Sequence, residues 1–245
     1  MSIKIMNERI KIAIQKSGRL TDHSITLLQK CGLVISHTKD QLIGYGENMP
    51  FDIMFVRDDD IPGLIQENLC EIGLVGANVA IEKKLSYEAN QSSCEFALQT
   101  PLDFGHCKLS FAYPESSSIR TIKDLDGKMI ATSYPFTVRN YFSENNINAN
   151  VTEFSGAVEL APSLGKADAI CDLVSTGNTL RAHNLELGET IMESVATVVK
   201  SNAKQSQFKN KWIDKIIERI NGVLQVNESK YIMMHAPKDL SLIHI

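Results

Sequence analysis

Short apolar runs alternate with helical patterns along most of the chain. Ile10, Ile12 and Ile14 recur at every second position, as in a β-strand. A helical pattern that begins near Thr21 follows this run, and Gly32 is placed to end it. Because this alternation continues along the chain, it indicates βαβ units around a largely parallel sheet. The sequence therefore predicts an α/β fold.

The alternation falls into two series, which predicts two lobes. One lobe is expected to contain residues 1–105 and 190–226, and the other residues 106–189, with a ligand cleft between them. The return to the first lobe is predicted as a strand from Ile191 to Val199, and a turn is predicted at Ala77 and Asn78. Other strands are predicted at 52–56, 71–76, 108–113, 128–132, 151–154 and 168–174, and helices near 61–69, 138–144, 158–164 and 205–224.

Composition and charge narrow the class of protein. Of the 245 residues, 43% are hydrophobic and 22% are charged, which is typical of a soluble globular protein. The formal net charge of -4 argues against a nucleic-acid partner. We find no run of 18 apolar residues and no signal-peptide pattern, so we expect a cytoplasmic protein without a membrane partner. The scattered cysteines and histidines lack metal-ligand spacing, and no structural metal is predicted.

A segment at 167–180, ADAICDLVSTGNTL, reads as a buried strand that breaks into a loop of small hydroxyl residues before a helix. Backbone N–H groups at a helix start, together with the hydroxyls of Ser175, Thr176 and Thr179, can surround a phosphate, and Gly177 allows close backbone approach. A simple capped helix start explains the same pattern equally well. Asp172, just before the loop, is a candidate to hold ribose hydroxyls or magnesium-bound water.

The longer segment 159–180, ELAPSLGKADAICDLVSTGNTL, is similar over its full length to the signature of the ATP phosphoribosyltransferases. Further similarity to the long form of that family covers nearly the whole chain. It lies in IAIQKSGRL (12–20), GENMPFDIMFVRDDDIPGL (46–64), LDFGHCKLS (102–110), GKMIATSYP (127–135) and ESKYIMMHAP (228–237).

The resemblance implies a catalytic core like the type II periplasmic binding proteins, which joins ATP to phosphoribosyl pyrophosphate with magnesium and releases pyrophosphate. For each cation a surface ion pair is the alternative, and for Tyr134 it is a place in the core. The implied roles are catalytic contacts to the pyrophosphate or to the ATP phosphates for Lys16, Arg19 and Arg57; phosphoribosyl pyrophosphate binding for Asp168, Asp172, Ser175, Thr176, Gly177, Asn178 and Thr179; and nucleotide binding for Ser133 and Tyr134.

Further expectations accompany this resemblance. Gln41 occupies a position where many members carry an arginine, and Lys39 is a candidate substitute. Residues 227–239 look like the first strand of a histidine-binding regulatory domain. The end, LSLIHI (240–245), matches a translated sequencing-library adapter. We therefore expect the regulatory domain to be truncated after its first strand, and we expect no inhibition by histidine. A homo-oligomer, between dimer and hexamer in this family, is expected for the full-length protein.

Two rival functions use the same fold. One is a solute-binding or effector-sensing module without catalysis, and the other is a family member that binds nucleotide but is inactive. The cations at Lys16, Arg19 and Arg57 argue against the first of these two functions. An assay of pyrophosphate release from ATP plus phosphoribosyl pyrophosphate separates them from the enzyme.

Overall fold

The computed structural model describes residues 8–38, 41–174 and 177–228. The expectations for Lys39, Ser175 and Thr176, and those for the segment 229–245, lie outside the described residues. The elements in chain order are β1 (Ile10–Gln15), α1 (Thr21–Lys30), β2 (Ile35–Ser36), β3 (Ile43–Gly46), β4 (Phe51–Val56), α2 (Ile61–Gln66), β5 (Ile72–Gly76), α3 (Ala77–Ala89), β6 (Phe96–Pro101), β7 (Cys107–Pro114), β8 (Met129–Thr132), α4 (Pro135–Glu144), β9 (Asn150–Glu153), β10 (Ala169–Val174), α5 (Asn178–Ala182), β11 (Leu185–Ser194), β12 (Ala196–Ser201) and α6 (Gln207–Glu228).

Lobe I is built on a seven-stranded sheet with the order β2-β3-β4-β1-β5-β12-β6. The strands β4, β1 and β5 are parallel, and β12 joins them antiparallel. Ile12 and Ile14 enter one core cluster with α1 and α6, whereas Ala13 enters another with α2 and α3. Because both faces of β1 are buried, the sheet lies between two helical layers, as in other open parallel sheets.

Lobe II is built on a five-stranded sheet with the order β11-β7-β10-β8-β9. The strands β10, β8 and β9 are parallel, whereas β7 runs antiparallel to β10. Phe111 of β7 packs against Phe142 of α4, with the ring centroids 5.4 Å apart. The lobe therefore has its own hydrophobic core, which does not depend on the core of lobe I.

The structure confirms the predicted two-lobed α/β fold but changes several elements. The strand predicted from Ile191 to Val199 is two strands, because β11 stays in lobe II to Ser194 and β12 begins in lobe I at Ala196. Residue 190 therefore lies inside lobe II, and the chain returns at Val195. No turn separates β5 from α3, which begins at Ala77, and the helix predicted near 158–164 is only a short 3-10 turn at Val158–Leu160.

Trp212 of α6 packs against the lobe I sheet. Its ring lies at right angles to the ring of Phe51, with centroids 6.2 Å apart, and it packs against the lobe I core. Among the described residues, no helix combines the length and the apolar character that crossing a membrane requires.

Candidate active site between the lobes

A cavity of about 430 Å³ lies between the two lobes. Four of the predicted site residues line it: Arg57 from lobe I, and Ser133, Tyr134 and Asp172 from lobe II. Its other polar walls include the carboxylates of Asp59, Glu82 and Glu153 and the amine of Lys83. The volume is in the usual range for a small-molecule site.

The parallel strands of lobe I explain why two predicted cations are neighbours. Gln15 pairs with Val56 at the ends of β1 and β4, so the next residues, Lys16 and Arg57, leave the sheet at the same edge. The backbone N–H of Lys16 donates to the Val56 carbonyl over 2.7 Å. Both side chains are exposed. The carboxyl edge of this sheet therefore presents two cations, at the position where open α/β sheets bind ligands.

Arg19 lies at the connection between the lobes. Its Nη1 donates to the carbonyl oxygen of His106 over 3.3 Å, just before β7. Burial, and to a lesser extent the charge of Asp59, raise the pKa of the nearby Asp58 carboxyl to about 6. The positive charge of Arg19 opposes this rise. Arg19 is not among the residues that line the cavity.

The segment between β8 and α4 forms part of the lobe II wall. The Ser133 hydroxyl donates to the Phe154 carbonyl over 2.9 Å, which holds the segment against the end of β9. The Tyr134 ring packs against the lobe II core, and its hydroxyl accepts a hydrogen bond from Asn78 Nδ2 over 2.9 Å. Burial raises the pKa of Tyr134 well above its usual value. The phenol is therefore neutral, and it belongs both to the core and to the cavity wall.

Asp172 is half-buried near the end of β10 and lines the cavity. Burial raises the pKa of its carboxyl to about 6, and Glu159 adds to this effect, while the backbone N–H of Leu173 opposes it over 2.8 Å. The carboxyl is therefore ionised at neutral pH, in a position where ionisation is costly. Such a group is stabilised by ligand hydroxyls or by a cation.

Asp168 lies at the opposite end of the same strand. Its Oδ2 accepts the backbone N–H of Met129 over 2.8 Å, and this bond joins the beginnings of β8 and β10. The structure does not bring Asp168 to the cavity. The length of β10 separates Asp168 from Asp172.

The candidate phosphate loop follows β10 directly. Gly177 has a left-handed backbone, with φ of +70°, and begins the short helix α5. Asn178 and Thr179 are exposed, and Asn178 Oδ1 accepts from Arg181 over 2.8 Å. Since β8 and β10 are parallel, this loop leaves the sheet at the same edge as Ser133. The described part of the loop adjoins the cavity wall but does not line the cavity.

The acidic groups fit magnesium that is carried by phosphates. Magnesium keeps several waters and takes one or two carboxylates together with substrate phosphates. Within the described ranges, no group of three or more His, Cys, Asp or Glu side chains is arranged to hold a metal ion. Asp172 supplies a single half-buried carboxylate in the cavity, which suits one contact to the ion or to its water.

Two residues that sequence reasoning missed join the lobes. Asn78 is 2% exposed and reaches Tyr134, and its Oδ1 accepts from the Ser194 hydroxyl over 2.9 Å. Glu82, one helical turn later on α3, accepts hydrogen bonds from Phe136 and Thr137 at the start of α4. The signal was present as two polar residues four apart on a helix face that is otherwise buried.

The fold and the cavity define a two-lobed α/β protein whose polar site is shared between the lobes. Within that class, the chain belongs to the ATP phosphoribosyltransferase family, because the family model described as "HisG: ATP phosphoribosyltransferase" matches residues 57–222. This is a family of transferases.

Solved structures agree with this assignment. A chain of the ATP phosphoribosyl transferase (HisG:HisZ) complex from Thermotoga maritima is 25% identical, with a TM-score of 0.67, over 87% of this chain and 99% of that chain. The arginine-, lysine-, histidine-binding protein ArtJ from Geobacillus stearothermophilus is 12% identical, with a TM-score of 0.56, over 90% and 91% of the two chains. The GluR0 ligand-binding core is 13% identical, with a TM-score of 0.55, over 90% and 94%. The last two share the fold alone.

Proposed function

We propose that the chain transfers the phosphoribosyl group of phosphoribosyl pyrophosphate to N1 of the adenine of ATP. The products are phosphoribosyl-ATP and pyrophosphate, and the reaction is the first step of histidine biosynthesis. Membership of the ATP phosphoribosyltransferase family supports this reaction. The observation that carries it is one cavity with Arg57 of lobe I on one wall and Asp172 of lobe II on the other.

The lobe II wall suits the phosphoribosyl group. Asp172 is an ionised, half-buried acceptor that can take two ribose hydroxyls, and the following loop with Gly177 and Thr179 is placed for the 5′-phosphate. Ser175, Thr176 and Asn178 belong to the same assignment. Ser133 and Tyr134, on the neighbouring strand end, are assigned to the nucleotide, because they line the same cavity. Magnesium, when it is bound through the phosphates, supplies charge neutralisation on the pyrophosphate.

The lobe I edge suits the leaving group. N1 of adenine carries no proton, so its lone pair forms the bond to the ribose anomeric carbon without a general base. The bond from that carbon to pyrophosphate breaks, and its electron pair leaves with the pyrophosphate. Arg57 and Lys16, at adjacent strand ends, are placed to stabilise this developing charge, with Arg19 further along the turn.

Pyrophosphate release from ATP and phosphoribosyl pyrophosphate with magnesium tests the proposal. We expect the wild-type protein to release pyrophosphate only when both substrates are present, and Asp172→Asn and Arg57→Ala to be strongly impaired. Lys84→Ala is the matched control, because Lys84 lies on α3 and forms an exposed ion pair with Glu88 outside the cavity. Binding of either ligand without pyrophosphate release would support a solute-binding module instead.

A further inference from the structure

The start of α4 is capped by a side chain from the other lobe. The first backbone N–H groups of a helix have no partner inside the helix. Pro135 at the first position has no N–H, so the first turn offers Phe136 and Thr137. Both donate to Glu82 over 2.8 Å, one to each carboxylate oxygen, and the Thr137 hydroxyl donates to the same carboxylate over 2.6 Å.

The location of Glu82 makes this contact more than a helix cap. Glu82 is 9% exposed, lies on α3 of lobe I and lines the cavity together with Pro135 and Phe136 of lobe II. A carboxylate that is so well buried is costly unless its charge is compensated. Here three hydrogen-bond donors and the positive end of the α4 dipole compensate it. The contact is therefore specific for a carboxylate at this position.

Asn78, one turn earlier on α3, makes a second contact that joins the two lobes. Asn78 Nδ2 donates to the Tyr134 hydroxyl, and the Asn78 backbone N–H donates to the Ser194 hydroxyl over 2.9 Å. Asn78 and Glu82 thus bind both ends of the segment 134–137 to one face of α3. With the segment held at two points, the lobe II wall of the cavity has a fixed position relative to lobe I.

We propose that Glu82 is a positioning residue that holds the two walls of the cavity at the separation needed for reaction. The inference rests on the function proposed above, because Arg57 and Asp172 then act on a single substrate pair from opposite walls. Glu82 acts through α4 and does not contact the reacting atoms. Its loss moves one wall relative to the other while each lobe keeps its own core.

Amide hydrogen exchange tests the contact itself, without any assay of activity. In the wild type, the Phe136 and Thr137 amides should be protected, since Glu82 is their acceptor. In Glu82→Ala they should exchange like exposed amides, and in Glu82→Gln, which keeps one acceptor oxygen, protection should be intermediate. Glu88→Gln, on the exposed side of the same helix, is the matched control and should leave both amides protected. Protected amides in Glu82→Ala would overturn the proposal.

Kinetics test the consequence. We expect kcat to fall about 10- to 100-fold in Glu82→Ala, as for other small misplacements of reacting groups, and less in Glu82→Gln. The Kd for phosphoribosyl pyrophosphate should change less than kcat, because its ribose and 5′-phosphate are assigned to lobe II and only its pyrophosphate faces the cations of lobe I. A kcat equal to that of Glu88→Gln would overturn the positioning role. If the wild type releases no pyrophosphate, the proposed reaction fails, and the amide exchange still decides whether Glu82 joins the lobes.

Discussion

The amide of Asn78 donates a hydrogen bond to the hydroxyl of Tyr134 across the boundary between the lobes, over 2.9 Å. Asn78 is buried at the start of α3, two residues after Gly76, the last residue of β5. A Cβ at Gly76 would lie 2.5 Å from Asn78 Oδ1, which is too close for any other residue. A glycine in one strand thus permits a contact to the other lobe.

Tyr134→Phe is expected to destabilise the protein by about 1–3 kcal/mol, because the buried Asn78 donor loses its acceptor. For a chain of this size, each kcal/mol lowers Tm by roughly 2–4 °C, which calorimetry resolves. Tyr45→Phe is the matched control, since Tyr45 is 52% exposed. An equal Tm for the two variants would show that the interlobe bond contributes nothing to stability.

The affinity for phosphoribosyl pyrophosphate should fall as the pH falls through about 6, the pKa of Asp172 in the folded protein. Only the ionised carboxylate accepts two ribose hydroxyls. Calorimetric titrations between pH 5 and pH 8 measure the effect, and the Asp172→Asn profile contains only the titration of the ligand and other groups. Asp58→Asn is the control for the second carboxyl with a pKa of about 6. Identical profiles for wild type and Asp172→Asn would contradict the assignment.

The contribution of Asp172 to the stability of the unliganded protein should depend on pH in the opposite direction from its contribution to ligand affinity. The pKa of Asp172 is raised on folding, so its favourable contribution is present below its ordinary value of 3.8 and is lost as the pH rises through about 6. At neutral pH the ionised carboxyl is a cost. Asp172→Asn should therefore stabilise the unliganded protein at pH 7.5 by about 1–3 kcal/mol. Denaturant unfolding at pH 7.5 and at pH 4 measures this, and the gain should shrink at the lower pH.

Gly177→Val together with Thr179→Ala should weaken binding of phosphoribosyl pyrophosphate and leave the fold intact. A Cβ at Gly177 meets no atom within 4 Å, so the cost is backbone strain at φ +70°, about 1–2 kcal/mol, and obstruction of a phosphate that approaches the backbone. Gly127→Val is a close control, since Gly127 has φ of +71° and equally open surroundings. Equal affinities by calorimetry in the two variants would remove the loop from the site.

Arg57→Ala and Arg19→Ala should lower turnover more than they weaken ATP binding, because they are assigned to charge that develops on pyrophosphate. By analogy with oxyanion donors, the loss for Arg57 is about 100- to 1000-fold in kcat. Arg120→Ala is the control, since that side chain is exposed and bonds to its own loop. Equal losses in kcat and in ATP affinity would indicate plain ground-state binding.

The sequence predicted those parts of the fold whose side chains repeat regularly. The strands β1, β4 and β5 are short apolar runs buried on both faces, so their pattern was unambiguous. The strand β11, in contrast, is mostly polar, lies at a sheet edge and has shifts in register, so its pattern carries little periodicity. The turn predicted at Ala77 failed because α3 begins without a loop after β5.

The residues of the candidate site also differ in how far the sequence could predict them. Arg57 follows β4 and Asp172 lies near the end of β10, both line the cleft, and both belong to segments that resemble the family. Glu82 and Thr137 are distant in sequence, so the sequence showed a polar residue on a buried helix face but not its partner on the other helix. Asp168 shared a motif with Asp172, yet the length of one strand separates it from the cavity.

The two connections between the lobes are neighbours, since Cys107 at the start of β7 pairs with Ser194 at the end of β11. Lobe II is therefore an inserted domain. It lies between β6 and β12, two antiparallel partner strands of lobe I. The backbone N–H of Ala196 already donates to the Phe104 carbonyl over 2.9 Å. A short turn between these two residues would therefore close lobe I in the absence of lobe II. Because the two ends of lobe II lie side by side, removing lobe II or inserting it into a loop of another protein costs little loop-closure entropy.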